Sequence, residues 1–456
     1  MAASERRHPS RPLELCVRFI FAIAFALFLL AAGRAEAVPS YAVQTAQPCS
    51  ACHVGGFGPQ LTPFGRQFKL EGYTLRGTED FVVPLSGMAV ASFVHTSADQ
   101  SPPVPHYATN DNFTLDQANV FVAGGFGDHF GSFAQFTYDG VGRSFAWDNL
   151  DVRATDHTKF LGQNVLVGLS LNNNPGVQDP WNTMAAWGFP YTDSDLSPAP
   201  AAGTVVSGGL AQSVLGVSAY AWWNAEIYTE AAVYWTPGRG FLRAMGVDAS
   251  EGGGALAGAA PYFRIAYEKQ FGDQNFDFGG FAFLPRLYPG GDKSTGKSDH
   301  FTDLGVDASY QFMGTGEHIF QINAIYTHEA QSLDASALLD AALQSNSLND
   351  LRADASYYWH NTIGFTAGYF NTWGSADPLL YADNSTFKPD SSGFILQLDA
   401  TPFGNGPSPL GPRFNMRVGI QYRLFTRFDG ASSNYDGLGH NASDNNTLRV
   451  FTWFVF

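Results

Sequence analysis

The chain has 456 residues, 14% charged and 45% hydrophobic, with 49 Gly, 39 Phe and 19 Tyr, and a mean hydropathy of −0.10. Its net charge of −16 repels nucleic acid and favours cations, and no internal run of about 18 apolar residues marks a membrane-spanning helix. A glycine- and aromatic-rich chain with so few charges favours many β-strands.

The N-terminus reads as a signal peptide. Arg6, Arg7, Arg11 and Arg18 precede the apolar run Phe19–Ala32, and Ala35–Ala37 offers a small-x-small cleavage pattern. An uncleaved anchor is the alternative, but the run is short for a span. Cleavage after Ala37 removes Cys16 along with five basic and three acidic residues, leaving 20 basic against 38 acidic and a net charge of −18. The expected division is a signal peptide over 1–37, a small module over 38–83 and a barrel over 84–456.

The module contains "QPCSACHVGGFGPQLTPFGRQF", in which Cys49, Cys52 and His53 form C-x-x-C-H, the attachment pattern of a c-type haem. A disulfide, a redox pair or half a zinc site are the other readings. Zinc normally takes four ligands, and the sequence has no second cysteine pair. A thioredoxin-like redox site needs a βαβ context that is missing. We therefore expect one covalent haem c, with thioethers to Cys49 and Cys52 and His53 as the proximal iron ligand. Roughly forty residues are too few to bury a core of their own.

A short helix is expected to lead into the haem motif. Thr62 reads as an N-cap with Pro63 at the first helical position, opening a second helix. Phe64 and Phe68, four apart, are expected against the porphyrin, with Arg66 and Lys69 near its propionates or simply solvated. The module has no methionine and no second histidine, so the distal position is open or filled from the barrel. Met88 is the preferred donor, with His95, His106 and His129 as other candidates. Methionine ligation would raise the potential.

From about Pro84 the sequence alternates. In "LGVDASYQF", Leu304, Val306, Ala308, Tyr310 and Phe312 share one face, and Asp303, Asp307, Ser309 and Gln311 the other. "MRVGIQYRL" likewise sets Arg417, Gln421 and Arg423 against an apolar face, and two further segments place Arg352 and Asp354, then Gln397 and Asp399, on the polar side. This is the apolar-out, polar-in pattern of a transmembrane antiparallel β-barrel, an all-β fold. Sixteen segments are expected, starting near Leu85, Phe113, Phe130, Phe145, Leu161, Leu210, Ala225, Tyr262, Phe276, Phe301, Ile319, Leu348, Ile363, Phe394, Phe414 and Leu448.

Connections after even segments are short, apart from "NGPSPLGP", and those after odd segments are mostly long. Short periplasmic turns and long outer loops put both termini in the periplasm. "NTLRVFTWFVF" closes on a terminal Phe, like the last strand of bacterial outer-membrane proteins. "GGGALAG" reads as loop, and "LDASALLDAAL" as a short loop helix.

Taken together, "CSACHVGGFGPQLTPFGRQFKLEGY", then "PLSGMAVASF" and a long barrel, resemble the fused monohaem cytochrome–porins, outer-membrane iron oxidases of Fe(II)-oxidising bacteria. The resemblance implies a cytochrome held in or against the barrel mouth that oxidises extracellular Fe(II) and passes electrons to a periplasmic carrier. It carries over Cys49, Cys52 and His53, and matches Met88 to a ligand on a barrel strand. Acidic residues such as Asp99, Asp111, Asp179, Asp193 and Asp195 are expected outside, drawing cations in. The alternatives are a porin-type solute channel with a structural or sensory haem plug, served by luminal Arg352, Asp354, Arg417 and Arg423, and a haem peroxidase, which needs an open distal position.

Overall fold

The computed structural model describes residues 39–78, 82–247, 255–406, 408–411 and 414–456. The expected signal peptide over 1–37, with Cys16, lies outside the described residues. Among the described residues, sixteen long strands form a closed antiparallel barrel. They are β1 Leu85–Thr96, β2 Asn112–Gly125, β3 Phe130–Asp139, β4 Ser144–Phe160, β5 Gln163–Asn172, β6 Leu215–Trp223, β7 Ile227–Trp235 and β8 Ala260–Phe271, followed by β9 Gln274–Phe283, β10 Asp299–Phe312, β11 His318–Ser332, β12 Ser345–Trp359, β13 Ile363–Gly374, β14 Ser391–Ala400, β15 Asn415–Arg427 and β16 Thr447–Val455. The expected segments match these strands, with the widest offset at β6, expected near Leu210 and beginning at Leu215.

Alternation decides which side each residue faces. On β10, Leu304 and Val306 are 51% and 46% exposed, whereas Asp303 and Asp307 are 0% and 2% exposed. Repeated around the barrel, this gives an outer belt that includes Phe113, Leu169, Ile265 and Leu398 and a polar inner wall. Closure satisfies every strand edge, which lipid requires. The belt and the closure together define an outer-membrane barrel.

β1 closes the ring by pairing with β16, from Met88↔Val455 to Thr96↔Thr447. Gly87 and the terminal Phe456 exchange backbone hydrogen bonds of 2.6 and 2.9 Å. A Cβ at Gly87 would meet the Phe456 ring at 2.3 Å, so a larger residue there would have to turn that ring aside.

The turns after even strands share one end of the barrel with the start of β1 and the end of β16, and the longest of them spans 401–414. The other end carries the long loops, except that β3 and β4 join through a tight turn over 140–143. Residues 252–254 of "GGGALAG" lie outside the described residues, but Ala255–Leu256 is a short strand paired with Leu287 and Tyr288, where simple loop was expected. Asp334–Leu338 is helical as expected, with Ala335 buried.

The loop over 173–214 folds into the lumen. Its Met184, Leu210 and Val214 are buried against Tyr234, Tyr262 and Phe283 of the wall. Asp179, expected on the outer surface, is instead fully buried: Arg264 lies 3.2 Å from it and 2.7 Å from Asp307. Two carboxylates on one buried guanidinium compensate its charge and fix the loop to the wall.

Candidate functional site

Before β1 come α1 Pro39–Thr45, the single turn α2 Cys49–Cys52 and α3 Pro63–Leu70. Thr62 caps α3 as expected: its Oγ1 accepts from the Gly65 amide at 3.1 Å, with Pro63 at the first position. α2 ends where the His53 amide donates to the Cys49 carbonyl at 2.9 Å. α3 packs directly on this turn, since a Cβ at Gly65 would lie 2.2 Å from the Cys52 carbonyl oxygen. Glycine is what permits that approach.

The helices occupy the barrel mouth at the short-turn end. Gly55 and Gly56 have φ of 74° and 90°, and a Cβ there would meet Tyr358 at 2.5 Å and Gly404 at 2.7 Å. This loop is therefore both a left-handed turn and a close contact with the wall. Arg417 donates to the Gly55 and Phe57 carbonyls at 2.8 Å each, and its guanidinium lies 4.9 Å from the Phe57 ring centroid. Asn361 accepts from the Gly55 amide at 2.8 Å. Tyr73 donates to Asp151 at 2.6 Å.

A cavity of about 370 Å³ opens between the helices, the wall and the inward loop. Cys49, Cys52 and His53 line it together with Met88. Met88 also shares an apolar cluster with Phe57, Phe121 and Trp453, against which Cys49 packs. Among the other candidate donors, His95 and His129 are exposed and paired with Asp111 and Asp156; neither they nor His106 line this cavity. On β1, Met88 faces inward as the strand's alternation requires.

Phe68 and Lys69 line the cavity, but Phe64 and Arg66 do not. Phe64 is half-buried elsewhere. Arg66 is not free for a propionate: it reaches Glu268 at 2.7 Å and donates to Gln311 and the Leu61 carbonyl at 2.8 Å each. It rivets α3 to the wall. Lys69 donates to the Val177 and Asp179 carbonyls and to Asn182 at 2.8, 2.7 and 2.9 Å, tying the module to the inward loop. Burial, with Arg153 adding to it, pulls the Lys69 ammonium down to about 7, against Asp151, Asp179 and Glu230.

Chemistry at the motif suits a porphyrin better than a redox or zinc site. The His53 Nδ1 atom is buried without a hydrogen-bond partner. Burial pushes the imidazole down to about 4, against the Gly58 backbone, so the ring is neutral and able to bind metal. Burial raises the Cys49 thiol and, helped by Cys49, pushes Cys52 up to about 12. Such thiols are poor for disulfide exchange, which needs a depressed thiol pKa, whereas a thioether carries no ionisation. Among the described residues no group of three or more Cys, His, Asp or Glu gathers to hold a bare metal ion. A mostly apolar cavity beside Cys49, Cys52 and His53 fits a haem.

Sequence reasoning missed the rest of the lining. Tyr41 and Tyr73, stacked with ring centroids 5.4 Å apart, and Ala186, Trp187 and Tyr191 of the inward loop all border the cavity. The signal was "WNTMAAWGFPY", an apolar stretch too rich in aromatics for a solvated outer loop.

Neither a protein-family model nor a curated protein matches the chain. Among solved structures it is similar to an anion-selective porin from Comamonas acidovorans, at 11% identity over 81% of this chain and 98% of that one, with a TM-score of 0.47. It is also similar to OprB of Pseudomonas putida, at 13% identity over 82% and 93%, TM-score 0.43. A third is the outer membrane protein OmpT of Vibrio cholerae, at 10% identity over 82% and 97%, TM-score 0.42.

Proposed function

We propose that the chain is an outer-membrane electron conduit of the iron-oxidase kind: it carries one haem c, accepts electrons from extracellular Fe(II), and passes them to a periplasmic carrier. The observation that carries this reading is the single cavity lined by Cys49, Cys52, His53 and Met88, enclosed by a plug inside a closed barrel. Haem c, when bound, supplies a reversible one-electron couple, matched to a one-electron donor such as Fe(II). The chain does the rest. Cys49 and Cys52 would tether the group, neutral His53 would offer its iron a nitrogen, and Met88, which lines the same cavity, would offer a thioether sulfur. Phe68, Phe121 and Trp453 keep water from the cavity, while Arg66 and Arg417 hold the module against the wall. With short turns assigned to the periplasm, the module faces the carrier and the long loops face the donor. A thioether donor at Met88 in the same cavity speaks against a peroxidase, whose iron would need an open position.

The closed sixteen-stranded barrel with a polar inner wall also suits the second reading, a solute channel with a haem plug. The plug and the inward loop across the lumen speak for low conductance. Anaerobic addition of Fe(II) to the oxidised, haem-loaded chain separates the two. The conduit reading expects rapid, stoichiometric reduction of the haem bands. Haem that responds to dithionite but ignores Fe(II) would remove the substrate assignment.

A further inference from the structure

A second cavity, of about 330 Å³, lies between the inward loop and the wall of β11 to β15. It shares Asn182, Ala185, Trp187, Gly188 and Pro190 with the haem-motif cavity, so one short segment borders both. At its other end it reaches Ala199 and Pro200. Ala199 is exposed, and the neighbouring Ala201 amide donates to Asp429, at the end of β15 in the long-loop region, at 3.1 Å. The cavity therefore spans from the outer loops to the wall of the haem-motif cavity.

The charges on its wall are unequal. Arg352 pairs with Asp350 at 3.0 Å, and Arg423 pairs with Asp193, so these four cancel. Asp354 also lines the cavity, but it accepts only one hydrogen bond, from Asn323 at 3.1 Å, and forms no ion pair among the described residues. One uncompensated carboxylate in a confined, partly apolar space attracts a cation and repels anionic chelates.

We propose that this second cavity is the docking subsite of the electron donor, that it takes a small divalent cation, and that Asp354 is the carboxylate that contacts it. The inference rests on the conduit reading for the identity of the cation, Fe(II). Because the haem motif sits at the short-turn end, and electron transfer weakens steeply with distance, the donor must come down the lumen to react. The step would be loss of one electron by Fe(II), giving Fe(III), and gain of that electron by the haem that Cys49, Cys52 and His53 would hold; no proton or ligand would be transferred.

The test uses the full haem-loaded chain in detergent, with Mn(II) as a redox-inert probe followed by electron paramagnetic resonance, beside the rate of haem reduction at low Fe(II). Asp354→Asn is expected to weaken Mn(II) binding and slow Fe(II)-driven reduction, each by about tenfold. Asp354→Glu, which keeps the charge, is expected to restore both to within about threefold. Haem content and barrel folding are checked for each variant. Wild-type Mn(II) affinity in Asp354→Asn overturns the subsite. If Asp354→Asn loses Mn(II) binding but even the wild type ignores Fe(II), the cation site stands and the Fe(II) conduit falls.

Discussion

At the scale of single residues, Met88 and Lys69 decide how the module holds its cavity and its place in the barrel. Met88 is the one candidate distal donor that lines the cavity with His53. Met88→Ala in the haem-loaded chain is expected to shift the optical bands toward a high-spin form and lower the midpoint potential, since methionine ligation raises it. Bands and potential identical to wild type would reduce Met88 to a space-filling side chain. Lys69 gives a pH prediction. Its folded pKa, about 7, lies below its ordinary value of about 10.4, so the folded state resists protonation more than the unfolded one does. The burial penalty is full below about pH 7 and fades as pH rises toward 10. Stability of the docked module should therefore rise across that window in the wild type, relative to Lys69→Met. Parallel pH profiles for the two proteins in thermal unfolding would contradict this.

At the scale of elements, α3 is held by two contacts of different origin. Gly65 lets it touch the Cys52 carbonyl, and Arg66 pins it to Glu268. Gly65→Ala is expected to push α3 off the Cys49–Cys52 turn and cut haem incorporation, read as the ratio of haem absorbance to protein. Glu268→Gln leaves the buried guanidinium with a weaker partner. Losing one member of a buried pair costs about 3–5 kcal/mol, an upper bound here, and earlier proteolytic release of the module would register it. Unchanged protease resistance would contradict the rivet.

These elements also mark what the sequence could disclose. The strands were legible because each alternates with period two, as in Asp303 to Phe312, and the haem motif because three residues, Cys49, Cys52 and His53, carry it within one five-residue stretch. The role of Arg66 was not legible: its partner Glu268 is 202 residues away, and nothing near Arg66 distinguishes a wall anchor from a propionate ligand. Asp179 failed for the same reason. A loop carboxylate looks solvated until Arg264 and the fold of the whole loop bring it inside.

For the whole molecule, two elements obstruct the lumen: the haem-motif module at the short-turn end and the 173–214 loop packed against the inner wall. Two consequences follow from that arrangement. A reconstituted barrel should conduct ions far less than an open porin of sixteen strands, and single-channel recordings in planar bilayers read this directly; porin-sized steps would favour the solute channel. On the conduit reading, charge then crosses as electrons. The most direct test reconstitutes the haem-loaded chain in liposomes, with the long loops outward and a soluble electron acceptor enclosed, and adds Fe(II) only outside. The conduit predicts reduction of the enclosed acceptor that depends on His53 and stops when the haem is absent. Haem that is reduced while the acceptor stays oxidised, or acceptor reduction that persists without haem, would contradict it.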